Sequence, residues 1–103
     1  MLRRFGCLLV LCIGAPAFSV MTYSRDIKPI FDNSCVECHD SLGHDPDLSN
    51  YPFDTIIFPS QEAVVDKVLE KTKSKYMPLG NRPKLTDAEI DKIQQWKNEG
   101  MAW

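Results

Sequence analysis

Apolar residues recur along three stretches of the chain with a helical period. Ile27, Ile30, Phe31 and Cys35 fall at i, i+3, i+4 and i+8, one stripe of a helix predicted over about residues 25–36. Pro29 is acceptable in its first turn if Asp26 is the cap; a cap at Ser24 predicts a kink instead. Val64, Val65, Val68 and Leu69 form the inner set of a second helix, capped by Ser60 and running from Gln61 to about Lys71. The third has the clearest punctuation. Thr86 and Glu89 make a capping box, Leu85 and Ile90 a hydrophobic staple, and Gly100 a stop, with Ile90, Ile93 and Trp96 or the stem of Lys97 turned inward. Residues 40–59 hold Pro46, Pro52, Pro59 and Gly43 and read as a loop. No segment alternates as a strand does, so the predicted fold class is all-α.

The first twenty residues have a different grammar. A basic start at Arg3 and Arg4, an apolar run from Phe5 to Ile13 and the small residues of Ala15-Pro16-Ala17 follow the three-part order of a secretory signal. The run is shorter than the ~20 residues of a membrane helix, and Pro16 interrupts it. We expect a signal peptide over residues 1–17, with cleavage between 17 and 21, followed by one domain over 18–103 in the periplasm; the alternative is an uncleaved tether. Lipidation at Cys7 or Cys12 is disfavoured by the bulky Leu11 before Cys12, and Arg3-Arg4 lacks the flanking residues of a twin-arginine signal. Cleavage after Ala17 leaves 86 residues with ten basic and fourteen acidic side chains, a net charge of −4. That balance disfavours nucleic acid, whose backbone demands a basic surface, and suits protein partners with a basic docking patch.

Two of the four cysteines lie in the signal, and the remaining pair, Cys35 and Cys38, is only three positions apart. Exported chains commonly use spare cysteines for long-range staples, and none is available here. Cys35-Val36-Glu37-Cys38-His39 is instead the Cys-x-x-Cys-His signature of c-type haem attachment. Residues three apart share one face of a helical turn, so both sulfurs reach one porphyrin edge, and the next residue offers its imidazole to the iron. At this composition the motif is expected by chance roughly 0.003 times. A redox dithiol would follow a strand, whereas residues 25–34 read as helix. A structural zinc site needs four ligands, and His39 adjoins Cys38 too closely for the usual spacing among Cys35, Cys38, His39 and His44. A plain Cys35–Cys38 disulfide leaves His39 unexplained.

The sixth position on such an iron decides between carrier and catalyst. Met77, in Lys75-Tyr76-Met77-Pro78-Leu79-Gly80 beyond the second helix, is the candidate; the competing account is a methionine filling a gap in the core. Met101 sits near the chain end, Met21 before the first helix, and His44 is five residues from His39, too near to reach the other face of the ring. Tyr51, Trp96 and Arg82 are candidates for the haem propionates, and each is equally a core or surface residue. Lys67, Lys71 and Lys75 fall on one helical row, which reads first as a solvated face and second as a docking patch.

A helix running into Cys35-Val36-Glu37-Cys38-His39, then Leu48-Ser49-Asn50-Tyr51, Met77-Pro78 and a last helix with Trp96 and Gly100, resembles bacterial class I monohaem cytochromes c. The resemblance spans nearly the whole of 18–103. It implies a small cytochrome c fold, three to four helices wrapped around one covalent haem c, with the N- and C-terminal helices crossing. It further implies thioethers at Cys35 and Cys38, axial iron ligation by His39 and Met77, and a proline carbonyl holding the proximal histidine, for which Pro46 is the counterpart. The function it implies is single-electron transfer between redox proteins, a reductase and an oxidase or dehydrogenase, with no enzymatic activity of its own. A membrane would be met only through a partner or an uncleaved N-terminal segment. The alternative is a haem protein with an open or labile sixth site, acting as a gas sensor or small redox enzyme subunit. The carboxylates are scattered, and no catalytic acid–base pair is identifiable among them.

Overall fold

The structure, a computed structural model, describes residues 20–103; the predicted signal segment over 1–17, with Cys7 and Cys12, lies outside them. Three α-helices carry the described chain: α1 (Lys28–Ser34), entered through a wide π turn (Tyr23–Ile27), α2 (Gln61–Lys73) and α3 (Asp87–Asn98). Apart from one isolated bridge between Thr22 and Ala102, no β-structure occurs among the described residues, so the class is all-α.

The first helical segment departs from its expected form. It begins at Tyr23 rather than near residue 25, and its cap is Thr22, not Asp26 or Ser24. The Thr22 hydroxyl accepts from the backbone N–H of Arg25 at 3.3 Å, while Asp26 reaches back to accept from the N–H of Thr22 at 3.0 Å. Pro29 explains the π turn. Its ring crowds the carbonyl four residues back and it donates no hydrogen bond, so a regular α-ladder cannot run through Arg25. The chain widens instead, with the Lys28 N–H bonded to the Tyr23 carbonyl, and regular α-helix starts with Pro29 in its first turn.

The other helices follow their punctuation. Ser60 caps α2 by accepting from the Ala63 N–H at 3.1 Å, and α2 extends two residues past the expected Lys71. Both halves of the Thr86–Glu89 capping box form on α3. At its other end Gly100, at φ +105°, turns the chain. The Gly100 N–H bonds Lys97 and the Met101 N–H bonds Trp96, which together make a Schellman stop with Met101 and Trp96 both buried beneath it.

The core is aromatic at its centre. Phe31 and Phe53 stack at 5.4 Å between ring centroids, Tyr51 meets Trp96 edge-on at 5.1 Å, and Tyr23 touches them all. Two polar tips of this cluster tie down the C-terminal segment: Tyr51 Oη donates to the Met101 carbonyl and Trp96 Nε1 to the Ala102 carbonyl, each at 2.8 Å. The N–H of Tyr23 also donates to Ala102, so the π turn, the last helix and the C-terminal segment form one stitched corner.

Tyr23 is 1% exposed, and its hydroxyl has no hydrogen-bond partner among the described residues. Burial, aided by the charge of Asp32, pushes its phenol up to about 12. Removing a desolvated, unpaired hydroxyl relieves its penalty, so Tyr23→Phe is expected to raise stability at neutral pH by about 1 kcal/mol in urea denaturation. The pH dependence follows from the sign of the shift. The folded state holds the phenolic proton more tightly than the unfolded chain does, with its ordinary value near 10. Stability from that difference is complete below pH ~10 and is lost as pH rises toward ~12, about 2–3 kcal/mol in all. Tyr23→Phe therefore flattens the alkaline limb; an unchanged limb contradicts the assignment.

Candidate functional site

The end of α1 delivers the cysteine motif. The N–H groups of Cys35 and Val36 close on the Phe31 carbonyl at 2.8 and 3.0 Å. Those of Cys38 and His39 then both bond the Cys35 carbonyl, at 3.2 and 3.0 Å. Residues 35–39 thus make a single helical turn that sets the two cysteines on one face and places His39 next to them. Neither cysteine is in a disulfide.

A tight loop follows and fixes the histidine. The His44 N–H bonds the Cys38 carbonyl at 2.7 Å and the Leu48 N–H bonds the His39 carbonyl at 2.5 Å. Gly43 is required by this path, since a Cβ there would lie 2.3 Å from the Cys38 carbonyl oxygen. His39 Nδ1 sits 3.0 Å from the His44 carbonyl oxygen and 3.1 Å from that of Pro46. Carbonyls only accept, so Nδ1 carries the hydrogen and donates, leaving the Nε2 lone pair for a ligand. The Pro46 contact is the one implied for the proximal histidine.

Met77 comes from the segment after α2. Ser74 ends the helix, Lys75 takes a left-handed φ of +64°, and the N–H groups of Tyr76 and Met77 both return to the Lys71 carbonyl at 3.1 Å. Lys75 consequently leaves the expected lysine row: its ammonium lies 3.5 Å from Asp87 and donates to the Leu85 carbonyl. Lys67 pairs with Glu70, and Lys71 lies over the Tyr76 ring at 4.9 Å. Farther along, Arg82 Nε donates to Glu37 Oε1 at 2.9 Å. The guanidinium holds the Glu37 carboxyl below its usual range, chiefly through this hydrogen bond.

These segments enclose a cavity of about 540 Å³, lined by Cys35, Cys38, His39 and Met77 together with Leu48, Phe58, Val64, Val68 and Leu85. Its volume lies within the ~300–1,000 Å³ usual for cofactor sites, and its walls are mainly apolar. All four site residues expected from the sequence therefore share one chamber. Met101 does not line it and is buried in the core at 7% exposure. Tyr51 and Trp96, the other propionate candidates, do not line it either: their rings fill the core and their donors bond C-terminal carbonyls. Arg82 lines it, beside Cys38 and paired with Glu37. Lys67 and Lys71 also line the cavity, which their spacing alone does not reveal. Their helical row was legible, but which side of it met a chamber was not.

The cysteine electrostatics bear on the competing chemistries. Burial, and secondarily the charge of Glu89, pushes the Cys35 thiol up to about 12. A redox-active Cys-x-x-Cys needs the opposite, a thiol lowered toward neutral pH to attack as thiolate. Zinc needs converging ligands, and among the described residues no group of three or more His, Cys, Asp or Glu is placed to hold a metal ion. No described helix is long and apolar enough to cross a membrane. Comparison of the chain with protein-family models, curated proteins and solved structures finds no match.

Proposed function

We propose that the chain is an exported single-electron carrier of the cytochrome c type, with one haem c bound through Cys35 and Cys38 and axial ligation by His39 and Met77. The observation that carries this reading is the meeting of those four side chains, drawn from two distant segments, in one mainly apolar cavity of about 540 Å³. The donor set fits: two thiols one turn apart, an imidazole with its Nε2 lone pair free, and a thioether.

When bound, the haem supplies an iron that exchanges one electron between two oxidation states. The protein's part is to bind and to orient. Carbonyls of His44 and Pro46 hold the proton on His39 Nδ1, which fixes the imidazole plane and leaves Nε2 facing a ligand. Leu48, Val64, Val68 and Leu85 exclude water from the chamber and keep its dielectric low. Met77 would supply a thioether, a ligand that favours the reduced state and would raise the potential. His39 and Met77, each fixed by its own segment, would hold the group with little to rearrange when charge changes, which suits a carrier. The acidic balance of residues 18–103 suits redox partners with basic docking surfaces, in the periplasm.

The test is a pyridine haemochrome assay on exported, matured protein, followed by carbon monoxide added to its reduced form. A covalent haem signal with slow or absent carbon monoxide binding is expected. Colourless protein overturns the haem assignment, and prompt tight binding favours a sensor or enzyme with an open sixth site.

A further inference from the structure

We propose that Glu37 and Arg82 form a latch that holds the Met77 segment against the attachment turn, which makes Arg82 a positioning residue for the sixth ligand; this rests on the haem reading above. Glu37 lies between the two cysteines, on a turn pinned by the Cys38 and His39 N–H groups. Arg82, 45 residues away, ends the stretch that begins with Met77 and itself lines the cavity. The 2.9 Å bond between them therefore joins the segment bearing the proximal ligand to the one bearing the thioether.

The Met77 stretch has few other fastenings. At its start, Tyr76 and Met77 hang from the Lys71 carbonyl, and Lys84 reaches the Pro78 carbonyl. Between these and Arg82 run Leu79, which is 47% exposed, and Gly80 at φ +71°. No regular secondary structure holds this stretch, so it belongs to the part of the molecule that opens locally at little cost. The ion pair is itself exposed, with side-chain accessibilities of 37% for Arg82 and 73% for Glu37. Such a pair contributes little to global folding, but it biases a local opening of the same small energy. Its loss therefore leaves the haem attached and the protein folded while Met77 leaves the iron more often.

The experiment measures the rate of carbon monoxide binding to reduced, matured holoprotein, where departure of the thioether limits the rate. Arg82→Gln and Glu37→Gln are each expected to raise that rate about two- to five-fold, the range open to an exposed pair. The exchange of Glu37→Arg with Arg82→Glu is expected to restore the wild-type rate. Salt at about 1 M should speed the wild type and leave Arg82→Gln unmoved. Single variants matching the wild type, or an exchange no better than the single changes, overturn the latch. Should a variant yield no holoprotein, the wild-type salt dependence decides, and a salt-independent rate counts against the pair. Met77→Ala separates the two levels. If it binds carbon monoxide no faster than wild type, the axial assignment fails; if it alone is fast, only the latch is lost.

Discussion

Cys35→Ala combined with Cys38→Ala is expected to reduce covalent haem to background in a pyridine haemochrome assay and to abolish stable holoprotein. Among the described residues, the two sulfurs are the only thiols lining the cavity, the groups that would add across vinyl groups, and one helical turn holds them on one face. Without them a haem would be held only by His39, Met77 and apolar contact, and denaturing extraction is expected to remove it. Stability should fall with it. The 86 residues expected after cleavage are few for a self-sufficient core, and Leu48, Val64 and Leu85 contribute apolar surface to the cavity wall. Far-ultraviolet circular dichroism of the double variant should show markedly less helix than the wild type. Each single variant should keep one thioether, with a haemochrome band displaced from that of the doubly attached form. Haem that survives acidic organic extraction from the double variant would mean attachment elsewhere and would sink the assignment.

How legible each feature was depended on its range. The ends of α3 are set by residues within five positions of each other, so the Thr86–Glu89 box and the Gly100 stop could be read directly. The turn over residues 35–39 is equally local. Entry into α1 was misread because three residues compete there: Thr22, Ser24 and Asp26 can each cap, and the outcome depends on how the chain accommodates Pro29. Asp26 has the cap's partner role instead, accepting from the Thr22 N–H. Gly43 looked like any loop glycine, because its need arises from the Cys38 carbonyl that a Cβ would strike. Tyr51 and Trp96 were ambiguous for a related reason. Amphipathic rings suit a cofactor edge and a core equally well, and only the position of the C-terminal carbonyls decides which they meet. Glu37 and Arg82, 45 positions apart, carry no pattern that pairs them.

Met77→Ala is expected to leave the haem attached, to lower the reduction potential by on the order of 100 mV, and to make carbon monoxide binding fast. Axial ligands tune haem potentials across about 0.8 V, and a thioether stabilises the reduced iron, so its loss moves the potential downward. An alanine methyl cannot ligate, which leaves the sixth position to water or to an added gas. Met101→Ala provides the comparison. Met101 is buried beneath the Schellman stop and absent from the cavity wall, so its truncation should cost about 2–5 kcal/mol of stability while leaving potential and gas binding unchanged. Spectroelectrochemistry on the two variants separates a ligand from a core-filling thioether, because the first moves the potential at little cost in stability and the second does the reverse. If Met77→Ala behaves as Met101→Ala is expected to, the side chain at position 77 merely fills space and the sixth ligand lies elsewhere.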